Sequence, residues 1–217
     1  MGEFFNLDSK WVQGLGKIID CVCLSLLWFM CCLPIVTAGA ATTALYYTIN
    51  KVIRHNRGYI WREYWGAFKS NFKQATILNL IMIVMIAFLS LDCYIMYQFA
   101  QAGDKTGSLY VVFVIFIALV LAWGCYLYPY IARFANKTKL AMKNAALIAI
   151  ANLPWTVVLF ILLCAACLGV VALPPLMFIM PSFYMLLANL ILEKVFKKYM
   201  SEDDIAAEEE RNREFYN

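Results

Sequence analysis

The stretch Leu109–Ala132, LYVVFVIFIALVLAWGCYLYPYIA, decides the fold class because it contains no charged residue. A helix crosses the hydrocarbon core of a membrane with about 20 apolar residues in succession. Two more runs reach this length, Ala75–Phe99 and Ala145–Leu173, and a fourth, Pro175–Leu192, follows them. The sequence therefore predicts an all-α fold, a polytopic membrane helix bundle.

The composition agrees with this class. Hydrophobic residues make up 64% of the chain and charged residues 15%, whereas a soluble domain is about half apolar and a quarter charged. The excess apolar surface must face lipid or other membrane-embedded chains. The net charge of +4 is spread over separate segments, so no nucleic-acid partner is expected.

The first apolar run, Ile18–Tyr47, is interrupted by Leu33–Gly39, LPIVTAG. Proline inside a helix removes a hydrogen bond and clashes with the preceding turn. Either one long helix bends here, or two short helices, Ile18–Leu33 and Ile35–Asn50, form a hairpin. Each half would be about 24 Å long, which a locally thinned bilayer tolerates.

Positive charge favours the hairpin. Each of the 18 basic residues except Lys105 lies in one of four segments, residues 10–17, 51–73, 133–143 and 194–213. Cytoplasmic loops are enriched in Lys and Arg, and a hairpin places all four segments on one side. We therefore predict about six spans with both termini in the cytoplasm. The alternative of a re-entrant hairpin over residues 18–50 stays open.

The chain divides into a single transmembrane helical domain, residues 1–200, and a short charged cytoplasmic tail, residues 201–217. Ser201 and Asp204 fit the capping box of a helix in this tail.

The segment Tyr59–Gln74 has aromatic side chains on one helical face and cations beside them, which is typical of an amphipathic helix in the headgroup plane. We expect it to lie flat on the cytoplasmic surface and to lead into the next span. It supplies most candidates for an interfacial or partner-docking face: Trp61, Trp65, Phe68, Lys69, Asn71 and Lys73. Pro34 and Gly39 join this set because the small-residue stretch Ala38–Ala44 permits close helix packing.

Polar residues inside apolar runs are the other candidates. Asp92 lies about two turns inside the end of its run, and ionisable groups within membranes are often functional. Asn79, Asn152 and Asn189 lie on three different runs, and Asn79 shares its run with Asp92. Each is interpreted first as a structural hydrogen-bonding group, with a contact to substrate or ion as the alternative. Glu193, next to Lys194, is interpreted as a carboxylate at the membrane edge beside a cation.

No enzyme motif is found, neither HExxH, nor GxSxG, nor a P-loop, nor the kinase set. The eight cysteines lie inside or at the ends of apolar runs and His55 is the single histidine. The cysteines are therefore expected to pack as apolar residues, and neither a metal site nor a cofactor is expected. We predict a protein that is not an enzyme.

Two segments carry a family resemblance. Leu33–Ala40, followed by Ala44–Tyr47 and Lys51, is one, and Trp65–Gln74 with its pattern of Trp, Phe, Lys and Asn is the other. Together they resemble the YesL-like bacterial membrane family, a domain of unknown function of about this length. The resemblance implies a multi-pass protein of the bacterial cytoplasmic membrane whose genes commonly neighbour sugar-import ABC transporters and glycoside hydrolases. It implies no catalytic residues.

The resemblance favours an accessory subunit that works with a carbohydrate ABC transporter, contacting its permease or ATPase subunits and the lipid bilayer. The alternative is a small stand-alone carrier or channel, acting as a homo-oligomer, in which Asp92, Asn79, Asn152 and Asn189 line a path.

Overall fold

The computed structural model describes residues 10–134, 136–200 and 202, and these residues form helices and no strands. The seven α-helices are α1 (Lys10–Cys32), α2 (Ala38–Thr48), α3 (Ile60–Gln101), α4 (Tyr110–Arg133), α5 (Thr138–Ala151), α6 (Leu153–Ala172) and α7 (Met180–Lys197). Short 3₁₀ segments lie at Ile35–Thr37, Lys105–Leu109 and Pro174–Phe178, and a π-helix at Ile49–Arg54 continues α2. The predicted tail helix lies almost wholly outside the described residues.

Four helical segments are long and apolar enough to cross a membrane: Gly14–Cys32, Ile60–Gln101, Lys105–Arg133 and Leu153–Ala172. They correspond to four of the six predicted spans. The other two predicted spans fall on α2, which has 11 residues, and on α7, which carries Glu193, Lys194 and Lys197. The all-helical fold is confirmed, and the count of six stays a prediction.

The N-terminal hairpin is formed as the Pro34 signal predicts. α1 ends at Cys32 and α2 begins at Ala38, while the Trp28 indole donates to the Thr42 hydroxyl at 3.1 Å across the two helices. The single bent helix is therefore excluded. The turn packs against Asn79 of α3, and α3 continues for about 33 Å beyond that point. The hairpin turn therefore lies well short of the C-terminal end of α3, which favours a hairpin that does not extend to the far end of the bundle.

The segment Tyr59–Gln74, which was expected to lie flat on the cytoplasmic surface and to lead into the next span, is part of one long helix. Residues 60–101 form one uninterrupted α-helix of 42 residues, about 63 Å long. Residues 60–101 contain no proline, so no residue in this stretch forces a break in the helix. Gly103, with φ +82°, follows its end, and its N–H bonds back to Ala100 O at 3.1 Å, as a glycine helix terminator does.

The run Ala145–Leu173 also differs, because it is divided between two helices. Asn152 leaves the helical region, with φ −121° and ψ 45°, and Pro154 occupies the first turn of α6. Proline favours the start of a helix, where its missing N–H costs nothing. α6 therefore begins at Leu153, and α5 is a separate helix that brings Ala141 and Ala145 into the core.

Apolar side chains point outward along the spanning helices. On α3 they recur every three or four residues, so they form one stripe: Ile77, Leu80, Val84, Phe88, Leu91 and Ile95. α6 likewise exposes Val157, Ile161, Leu168 and Val171. Exposed apolar area on this scale is unfavourable in water, and it fits contact with lipid tails.

Candidate functional site

The first half of α3 carries a continuous row of aromatic rings, here called the aromatic ladder: Trp61, Trp65, Phe68 and Phe72. Ring centroids are 5.9 Å apart from Trp61 to Trp65, 5.5 Å from Trp65 to Phe68 and 5.4 Å from Phe68 to Phe72. Trp61 is 65% exposed and Phe72 is 40% exposed. The two ends of the ladder are therefore open surface.

The other residues predicted for this face surround the ladder. Lys69 and Lys73 are exposed and add positive charge. Asn71 donates through Nδ2 to Ala67 O of its own helix at 2.9 Å, so its amide is already used locally. The structure thus keeps all six predicted residues on the same half of α3.

A lysine–glutamate pair fixes the start of the ladder to the end of the hairpin. Lys51 Nζ lies 2.7 Å from Glu63 Oε2. Partial burial opposes the charge of Lys51, but hydrogen bonds to Glu63 and Tyr47 outweigh that penalty and raise the lysine pKa above its ordinary value. The π-helix and α3 are therefore held together where the ladder begins.

Gly39 and Asn79 meet at the hairpin turn. Asn79 Nδ2 donates to Ile35 O at 2.8 Å and to Val36 O at 3.1 Å, and its Oδ1 accepts from the Tyr128 hydroxyl at 2.8 Å. A Cβ on Gly39 would lie 2.8 Å from Ala75 O, from Asn79 Cβ and from Tyr128 Cε1. Gly39 therefore faces this chain's own interior, while Pro34 stays exposed.

A second polar cluster, here called the Glu193 network, lies buried between α2, the π-helix, α4 and α7. Glu193 is 5% exposed. Its Oε1 accepts from the Tyr46 hydroxyl at 2.7 Å and from Asn50 Nδ2 at 3.1 Å. Its Oε2 lies 3.3 Å from an Arg133 guanidinium nitrogen.

Asn189 belongs to the same network. It is completely buried, lies one turn before Glu193 on α7, and accepts a hydrogen bond from Arg54. Two arginines and one carboxylate are thus gathered inside the protein, where a charge is stable only if it is paired. The network ties the last helix to the hairpin.

The sequence analysis expected Glu193 to lie beside the cation Lys194, but the cation next to it in the structure is Arg133. Glu193 is buried and bonds to distant helices, whereas Lys194 is exposed. A usable signal was present: Asn189 and Glu193 are four residues apart and lie on one face, and Lys194 lies off it. Neither Tyr46 nor Arg133 could be assigned as partner without the tertiary structure.

The remaining predicted polar residues lie apart from each other. Asn152 Nδ2 donates to the Tyr199 hydroxyl at 2.9 Å, and its backbone oxygen accepts from the Thr156 hydroxyl at 3.1 Å. Asp92 is half-buried on α3, well beyond Asn79. The four residues proposed to line a path therefore have separate surroundings.

An apolar cavity of about 570 Å³ lies among α1, α2, α3, α4, α6 and α7. Of the four predicted polar residues, Asn79 alone borders it. Cys125 and Cys167 are on its wall, and all eight cysteines are free thiols. No group of three or more metal-ligating side chains occurs in the part of the chain that the structure describes.

The membrane-length helices and their outward apolar stripes define the class of this protein, a helical membrane protein. Residues 21–93 match the model of a family described as "Protein of unknown function, DUF624". The matched segment contains most of α1, all of α2 and most of α3, and so includes Gly39, Asn79 and the aromatic ladder. No curated protein and no solved structure matches the chain.

Proposed function

We propose that this protein is a non-enzymatic accessory subunit of a carbohydrate ABC importer, and that the permease or ATPase subunits dock on the aromatic ladder. The observation that carries the proposal is the ladder itself, with Trp61 65% exposed and Phe72 40% exposed. Aromatic residues are enriched at protein interfaces and among the residues that contribute most to binding. The choice of a sugar importer comes from the gene neighbourhood that the family resemblance implies.

The proposal places the protein in the bacterial cytoplasmic membrane with both termini in the cytoplasm. The basic segments around residues 51–73 then lie inside the cell, and so does the ladder half of α3. That is the side on which ATPase subunits of an importer operate. The chain has no P-loop, so ATP hydrolysis would come from the partner.

The test is co-purification from cells that also express a carbohydrate ABC importer, in mild detergent. We expect the wild type to retain importer subunits and the variant Trp61→Ala/Phe72→Ala to lose them. The matched control is Val84→Ala/Phe88→Ala on the lipid-facing stripe of the same helix, where exposure is 66% and 65%. Recovery of the wild type without importer subunits, or equal loss in the control, would contradict the proposal.

The alternative is a small stand-alone carrier or channel acting as a homo-oligomer, and the apolar cavity gives it little support as a path for sugar. The wall of the cavity is almost entirely apolar, and a sugar there would leave its hydroxyls without partners. A flux assay with purified protein in liposomes tests this candidate. Flux of a sugar or ion that Asp92→Ala abolishes would favour the carrier over the accessory subunit.

A further inference from the structure

The cavity is lined mainly by apolar side chains, which suit a hydrocarbon ligand. Apolar side chains of several helices line it, including Trp28 of α1, Ile86 of α3, Leu121 of α4 and Leu163 of α6. Four methionines also line it: Met82, Met177, Met180 and Met185. Methionine is unbranched and polarisable, so such a wall adapts to a chain of variable shape.

The polar side chains on the wall are paired with one another. The Trp28 indole donates to the Thr42 hydroxyl at 3.1 Å. The Tyr128 hydroxyl donates to Asn79 Oδ1 at 2.8 Å, and the Tyr184 hydroxyl donates to Cys125 Sγ at 3.4 Å. These three donors already have acceptors within the protein, so no polar ligand is needed to satisfy them.

The cavity is not enclosed but opens at the surface of the bundle. Phe29 and Leu121 line the cavity and are also 41% and 37% exposed at the surface of the bundle. The volume of about 570 Å³ falls within the range of about 300–1,000 Å³ that is usual for small-ligand pockets. Because the cavity is open, a molecule can enter it from the surface of the bundle.

We propose that this cavity binds one acyl chain of a bilayer phospholipid, which enters through the opening at Phe29 and Leu121. The apolar wall excludes a headgroup, so the headgroup stays outside the cavity and the aliphatic tail alone is recognised. This site is separate from the aromatic ladder, and its occupancy does not depend on any importer subunit.

Two adjacent alanines of α6 provide a matched test. Ala166 lines the cavity, whereas Ala165 is exposed on the lipid-facing side. Ala166→Phe fills the cavity with a ring, and Ala165→Phe adds the same ring outside it. Val170→Phe and Val171→Phe form a second pair, since Val170 lines the cavity and Val171 is 79% exposed.

The experiment reconstitutes the full chain in phosphatidylcholine and phosphatidylglycerol vesicles that contain a trace of phospholipid with a diazirine in its acyl chain. After irradiation, mass spectrometry locates the crosslinked residues. In the wild type we expect crosslinks at Cys167 and Met180, which line the cavity, as well as at Val84, which is 66% exposed on the outer stripe of α3.

The cavity variants should lower the Cys167 and Met180 crosslinks by about tenfold, equivalent to about 1.4 kcal/mol of binding free energy. The outer variants should leave them unchanged, and a monodisperse gel-filtration peak shows which variants fold. If one cavity variant fails to fold, the other pair decides. Absence of wild-type crosslinks at Cys167 and Met180, or equal crosslinking in the cavity and outer variants, would overturn the proposal.

Discussion

At the scale of single residues, Gly39 and Asn79 hold three helices at one point. Asn79 satisfies two backbone oxygens of the hairpin turn and accepts from Tyr128. These hydrogen bonds stabilise the hairpin turn in a membrane, where an unpaired backbone carbonyl costs several kcal/mol. Gly39 permits the contact because any Cβ would meet atoms of α3 and α4.

Replacement of Gly39 by alanine should destabilise the protein by about 1–3 kcal/mol, the usual cost of overpacking. Three atoms would lie 2.8 Å from the new Cβ, and one of them, Ala75 O, is backbone. The measurement is the unfolding midpoint in an SDS titration, followed by tryptophan fluorescence.

Gly66→Ala is the matched control for Gly39→Ala. Gly66 is exposed within α3, and nothing lies within 4 Å of a Cβ placed there. Its replacement should stabilise the helix by about 0.4–1 kcal/mol. If the two variants unfold at the same SDS concentration, the close packing at Gly39 is not significant for stability.

Glu193→Gln should cost more than the equivalent change at Glu63. Removing one partner of a buried ion pair costs about 3–5 kcal/mol, and the side chains of Arg133 and Glu193 are 16% and 7% exposed. Those of Lys51 and Glu63 are 33% and 17% exposed, so solvent screening limits the cost of Glu63→Gln to about 0–1 kcal/mol. The same SDS titration compares them, and equal losses would show that the Glu193 network does not stabilise the bundle.

At the scale of secondary-structure elements, the sequence predicted the positions of the apolar helices. It did not predict that α3 is continuous or that the run Ala145–Leu173 is divided between two helices. The charge-free run of α4 and the Pro34 break are local signals, so both were predicted correctly. α3 packs against the hairpin through Gly39 of α2 and through the ion pair of Lys51, in the π-helix, with Glu63, and these distant contacts are not marked in the sequence. The helix break at Asn152 has a local signal in Pro154, whereas the hydrogen bond from Asn152 to Tyr199 could not be predicted.

In the candidate site too, features with a local sequence signal were predicted and features that depend on tertiary contacts were not. The aromatic ladder could be predicted because helical periodicity alone places its residues on one face. The Glu193 network and the cavity could not, since their members come from four or more helices. Asn79 was singled out as a polar residue in an apolar run, but its partners are backbone oxygens, which no sequence pattern marks.

The continuity of α3 predicts a long distance within one helix. Spin labels at Arg62→Cys and Gln98→Cys, both exposed positions, should be about 54 Å apart in a straight helix. A flat helix turning into a span near residue 74 would bring them to about 40 Å. Pulsed electron resonance in nanodiscs, with the eight native cysteines replaced by alanine, measures the distance, and a main peak near the shorter value would contradict the continuous helix.

At the scale of the whole molecule, α3 connects two regions with different surroundings. Its second half exposes an apolar stripe from Ile77 to Ile95, and its first half carries the aromatic ladder with Lys69 and Lys73. The cavity lies beside the stripe, and the Glu193 network ties the hairpin to α7. A single helix thus links a surface suited to a partner with a bundle suited to lipid.

The central claim is that α3 crosses the membrane and extends beyond it on the side of the ladder. The most direct measurement uses a membrane-impermeant maleimide on single-cysteine variants, Lys69→Cys and Gly103→Cys, in intact cells and in inverted vesicles. The account predicts labelling of position 69 in inverted vesicles only and of position 103 in intact cells only. Labelling of both positions from the same side would contradict it.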